Sequence, residues 1–246
     1  MLRLLDARTG SYAEVRPARR GLLRVCAQLP AAAGGSDLTG LRVLLVADLL
    51  ARTAELGDLQ VQTVLAAEGD PAAVEEAADA LNIHPPVAHA GPNGAAAALG
   101  GPIDVYLASH DVVDQGGLAV CVGAASRHEA DGTGRDPLAV RLALLSLPYD
   151  KPADLAEGTL AAASQTLGQW RRRVADWAQS PSRPMPPPVA DQVRAAWDDV
   201  DTASLLALLR DLAPDDGVPP GTKFETFAFV DRILGLDLVR DVGRAG

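Results

Sequence analysis

Two of the four histidines in this chain are followed directly by a carboxylate: His110-Asp111 and His128-Glu129. An imidazole next to a carboxylate can act as a general base with its orienting partner, or lend a nitrogen to a metal. His110-Asp111 comes just after the apolar segment Ile103 to Leu107, at the end of a strand, where clefts of α/β sheets form. Two polar residues there also make an ordinary turn. Cys121 stands ten residues further on and completes a candidate trio of base, orienter and thiol. His128-Glu129 reads as a solvated loop, and His84, ahead of Pro85-Pro86, as the exit of a helix. Cys26 and Cys121 are the only cysteines. They are too few for a disulfide framework, and two buried thiols acting as small hydrophobes is the plain alternative to chemistry.

Composition narrows the classes of function. The 246 residues carry 22 basic against 32 acidic side chains, a net charge of −10. Sequence-independent nucleic-acid binding draws on cations that displace counterions from phosphates, so this balance argues against it as the main activity. Arg171-Arg172-Arg173 is the densest basic run, and it reads as a solvated helix face beside Trp170 and Val174. Only two lysines exist, Lys151 and Lys223, so residues 1–150 contain none. No apolar stretch reaches membrane-spanning length and the start lacks signal-peptide anatomy, so a cytoplasmic protein is expected.

The elements that would position these residues follow from periodicity. Leu2–Leu5, Leu22–Cys26, Val61–Leu65, Ile103–Leu107 and Leu118–Val122 have the length and apolar content of strands. Val43–Leu56 and Pro71–Leu81 read as helices between them. This alternation predicts an α/β domain with a mostly parallel sheet over residues 1–150. Residues 151–246 change character. Leu160, Leu167, Trp170, Val174 and Trp177 share one helix face. The proline-rich Ser180–Pro188 is a connecting loop. Further helices carry Val200 to Leu212 and Phe224 to Leu234, with Asp199 and Asp201 as helix-start residues. All six tryptophans and phenylalanines fall in this half, which predicts an all-α bundle with its own core.

The order of several short motifs resembles the cysteinyl-tRNA synthetase family, and within it the cysteine:glucosaminyl-inositol ligases of mycothiol synthesis. Leu23-Arg24-Val25-Cys26 is similar to the "YVCGPT" strand. Arg42 to Arg52, ending Ala47-Asp48-Leu49-Leu50-Ala51-Arg52, resembles the helix after the HIGH motif. Asp79-Ala80-Leu81-Asn82-Ile83-His84-Pro85-Pro86 is similar to "D-A-L-N-V-x-P-P". Asp136-Pro137-Leu138 to Ser146 resembles the stretch after the KMSKS loop, and Asp198-Asp199-Val200-Asp201-Thr202 the "D-D-L-x-T-P" of the helical domain. The resemblance implies a Rossmann-like, HUP-type sheet domain followed by the helical bundle. Without an anticodon-binding extension it favours the mycothiol branch. His89 to Leu99 stands where the family carries a large insertion.

The resemblance also implies ATP and zinc as the groups to look for, and most of their binding residues are missing. The HIGH position reads Asp37-Leu38-Thr39-Gly40, and Asp37, Thr39, Gly40 and Arg42 are the degenerate ATP-site positions. An aspartate beside a triphosphate adds repulsion where attraction is needed. The KMSKS lysines are absent, and Arg127 is the nearest cation. Of the zinc ligands only the position of Cys26 matches, whereas a zinc site needs about four. Three functions are weighed. One is a binding or regulatory paralogue without ATP-dependent cysteine activation, holding an amino-acid-like ligand or a protein partner. Another is a ligase with rewired chemistry at His110, Asp111 and Cys121, fed by an activated acyl donor. The third is an RNA-binding remnant, which the net charge disfavours.

Overall fold

A computed structural model describes residues 2–30, 37–68, 72–91, 93–109, 116–127 and 136–244. The chain forms two compact units, Met1–Arg127 with Tyr149–Asp154, and His128–Pro148 with Leu155–Gly246.

The first unit opens with an antiparallel pair, β1 (Arg3–Asp6) and β2 (Ser11–Glu14). The main sheet follows: β3 (Leu22–Gln28), β4 (Gln60–Ala66), β5 (Ala88–Ala90), β6 (Val105–Ala108) and β7 (Leu118–Cys121). Its strands are all parallel, in the order β5-β4-β3-β6-β7. The chain therefore builds outward from β3 in one direction, then returns to build the other side. That reversal puts the topological switch point between β3 and β6, the Rossmann-like arrangement expected from the sequence. Central strands need burial on both faces, and β6 is buried throughout while β3 is buried except at its last residue. Helices α1 (Leu38–Glu55), α2 (Ala72–Ala80) and the single turn α3 (Ala95–Ala98) supply the crossovers. A small pair, β8 (Ala125–Arg127) with β9 (Ala153–Leu155), completes the sheets.

One charge lies inside this sheet. Arg24 on β3 is buried, and its Nε donates to the Leu99 carbonyl at 3.1 Å. A Cβ at Gly101 would stand 2.8 Å from the Arg24 guanidinium carbon, so a larger residue there would have to displace the guanidinium.

The second unit is helical: α4 (Leu138–Leu145), α5 (Glu157–Trp177), α6 (Pro187–Asp198), α7 (Thr202–Leu212) and α8 (Pro220–Leu234). Phe227 is its aromatic centre, edge-on to Trp170 at 5.7 Å and to Trp177 at 5.1 Å between ring centroids. Three expectations need correction. Pro187 and Pro188 do not belong to a loop but open α6, because proline at the first helical positions gives up a donor that has no partner anyway. Val200, at φ +54°, breaks α6 from α7. Asp199 therefore ends α6, and Asp201 alone caps α7, accepting from the Ser204 N–H at 3.0 Å. Arg171 is not solvated. It is buried, donates to the Asp237 and Leu236 carbonyls at 3.0 and 2.8 Å and pairs with Asp136. Arg172 and Arg173 are exposed.

Candidate functional site

The cleft-forming edge of the sheet is the C-terminal end of β3 and β6, where α1 begins. Asp37 is the N-cap of α1. Its two carboxylate oxygens accept from the Thr39 and Gly40 N–H groups at 3.0 and 3.1 Å. A helix start offers free N–H donors and a positive dipole end, which is what an incoming phosphate would use. Here the chain's own carboxylate occupies those donors and neutralises that end.

Thr39 is turned to a second task. Its hydroxyl donates to the Ala125 carbonyl at 3.0 Å, and the Ala125 N–H donates back to Thr39 Oγ1 at 3.1 Å. Arg42, one turn on, is 1% exposed. Its Nη1 donates to the carbonyls of Gly123 and Lys151, at 2.9 and 2.5 Å. Burial pulls its pKa down and the nearby Asp150 charge opposes that. This one guanidinium nitrogen clamps backbone from two distant segments onto α1. Arg127, at the end of β8, is exposed.

Cys26 sits mid-strand on β3, with no exposure, among Val64, Ala66, Ala95, Leu99, Ile103 and Tyr106. Burial pushes its thiol up to about 12, so it holds its proton at neutral pH. A zinc ligand must be a thiolate, and this apolar cluster does not fit a zinc. Cys121 is half-buried at the end of β7. The sheet register pairs Cys26 with Tyr106 and Cys121 with Ala108. Two strand spacings and two residue rises then separate the cysteines by roughly 12 Å, too far to share one metal. Among the described residues no group of three or more His, Cys, Asp or Glu is arranged to hold a metal ion. His110 and Asp111 lie outside the described residues, as do His128 and Glu129.

A constellation that residue-type reasoning missed lies further along α1. Asp48 has a fully buried side chain, accepts from Arg52 Nε at 2.8 Å and from the His84 N–H at 3.1 Å, and meets His84 Nδ1 at 2.9 Å. Arg52 also donates to the Asn82 carbonyl at 2.8 Å. The two segments quoted as separate motif resemblances, Arg42 to Arg52 and Asp79 to Pro86, are thus bolted together. The signal was available: an Asp–Arg pair at i, i+4 inside an apolar helix run.

No family model matches the chain. Two curated proteins do. The chain is 31% identical over 105 residues to the L-cysteine:1D-myo-inositol 2-amino-2-deoxy-alpha-D-glucopyranoside ligase of Acidothermus cellulolyticus, covering 43% of this chain and 25% of that protein. It is 35% identical over 116 residues to the ligase of the same name from Cellulomonas flavigena, covering 44% and 26%. Over less than half of its length the chain is similar to these cysteine ligases. The match spans about a quarter of the length of these curated ligases. No helix among the described residues is long and apolar enough to cross a membrane.

Proposed function

We propose that this chain keeps the fold of its cysteine-ligase relatives without ATP-dependent cysteine activation, and acts as a binding or regulatory module. One observation carries the reading. The Asp37 carboxylate takes the N–H donors at the start of α1 and sets a negative charge where a triphosphate would need positive potential. Arg42 supports it, because its guanidinium is buried and bonded to backbone carbonyls. The buried, protonated Cys26 supports it from the zinc side. The ligand of such a module is an amino-acid-like small molecule or a protein partner, and cytoplasmic residence goes with this reading.

The test is cysteine-dependent exchange of pyrophosphate into ATP. The expected result is no exchange above the no-cysteine control, in protein shown by circular dichroism to be folded. Exchange above that control that requires cysteine would overturn the reading. A thermal-shift titration with a non-hydrolysable cysteinyl-adenylate analogue gives a second measure. A ligand at a hundred times its Kd stabilises by about 2.7 kcal/mol, so absence of any rise in Tm is the outcome expected.

A further inference from the structure

The Asp48–His84 pair forms one wall of a cavity of about 190 Å3 on the first unit. Its polar lining is Asp48, Glu55, Thr63 and His84, and its apolar lining includes Leu44, Val61 and the Pro85-Pro86 step. The cavity is not the ATP edge. α1 runs from the C-terminal ends of the strands towards their N-terminal ends. Asp48 and Glu55 lie roughly 16 and 27 Å along its axis from Asp37.

The hydrogen-bond chemistry of the lining is one-sided. Asp48 is an acceptor, so the proton in its contact with His84 belongs to Nδ1. In the neutral ring that leaves Nε2 as an acceptor, with the imidazole more than half exposed. Glu55 adds a second carboxylate on the same helix face, seven residues or two turns after Asp48. The charge of Asp48 is answered by Arg52, while Glu55 is exposed at the rim. Acceptors and a net negative rim call for a donor-rich cation. Aliphatic and proline walls call for a short hydrocarbon body beside it. A molecule of liquid water takes about 30 Å3, so the space suits a ligand of about six heavy atoms. The wall is held ready: His84 is tied to Asp48 at both its backbone and its ring, and two prolines fix the chain after it.

We propose that this cavity is a binding site for a small primary alkylammonium, with the ammonium between Glu55 and His84 Nε2 and the alkyl body against Leu44, Val61 and Pro85. The probe is isopentylamine, with isopentanol as its uncharged counterpart, followed by chemical-shift changes in labelled full-length protein. The expected result is saturable binding of the amine, with shifts centred on Ala47–Glu55, Val61–Thr63 and His84–Val87. Isopentanol should bind at least tenfold more weakly, and so should the amine to Glu55→Gln and to His84→Ala. Glu55 is exposed, so Glu55→Gln should keep the wild-type spectrum elsewhere, while His84→Ala also removes the ring bond to Asp48 and should shift the Asp48–Arg52 signals as well. No saturable shift up to about 10 mM amine, a Kd corresponding to only about 2.7 kcal/mol, overturns the proposal. Equal binding of amine and alcohol, or unchanged binding in both variants, overturns it too.

Discussion

At the scale of single residues, Cys26, Asp37, Thr39 and Arg42, which the sequence offers for chemistry, take part in the packing and bonding of the fold. Cys26 is the sharpest case. Its thiol, pushed up to about 12 by burial, has a folded pKa far above the ordinary value. The folded protein then keeps a proton that the unfolded chain loses above about pH 8.5. The stabilisation is complete below that value and is lost as pH rises towards the folded pKa, by up to about 1.4 kcal/mol per pH unit. Urea melts between pH 8 and 10.5 should show this alkaline decline, and Cys26→Ala should flatten it while lowering stability at pH 7 by about 1 kcal/mol for the methyl-sized gap. In the native protein at pH 8, iodoacetamide should leave Cys26 unmodified. Modification of Cys26 without unfolding would show that the strand opens around it.

At the scale of elements, α1 concentrates most of what the structure adds to the sequence. Its N-cap, its clamp to two distant segments and its bolt to the Asn82–His84 turn all lie on one helix. Replacing Asp37 with alanine removes two accepted hydrogen bonds and should cost about 1 kcal/mol, read from chemical denaturation. The same variant frees the helix start, so it should raise affinity for inorganic phosphate if the carboxylate is what repels anions there. An unchanged stability would mean that the cap is made by solvent instead. The strands β3, β4, β6 and β7 were legible because burial on both faces makes short apolar runs. The three-residue β5, β8 and β9 were not, since a bridge of that length leaves no periodicity. α6 was hidden by its own prolines, which read as a breaker unless they happen to be the first residues of a helix. The buried state of Arg42 and Arg171 was equally illegible. An arginine run or a lone arginine carries no mark of the carbonyls that will receive it, since those come from segments 65 to 109 residues away.

At the scale of the whole molecule, each unit holds a buried polar network of its own. In the second unit Asp136 is gripped by Arg171 and Arg240 and accepts from the Leu138 N–H. Burial alone would raise its pKa, but the Arg171 hydrogen bond, the Leu138 N–H and the two arginine charges outweigh it and hold the carboxyl below its usual value. The folded state keeps that charge to lower pH than the unfolded chain does. Its contribution is therefore full above about pH 4 and lost as pH falls through the folded value. Acid titration followed by tryptophan fluorescence should show the helical unit losing stability below pH 4, and Asp136→Asn should remove part of that acid limb while lowering stability at pH 7. An acid limb identical in the two proteins would place the responsible carboxylate elsewhere.

The Arg42 clamp sets a schedule on the ribosome. The first unit draws on Met1–Arg127 and then on Tyr149–Asp154, and the guanidinium reaches both Gly123 and Lys151. When Gly123 is added to the chain, Lys151 is still 28 residues from being made, about one to six seconds of translation. During that interval the Arg42 guanidinium on α1 lacks the Lys151 carbonyl that it is bonded to in the finished unit. A rare-codon cluster placed between residues 128 and 148 would lengthen the interval, and the yield of folded protein is what it would put at stake.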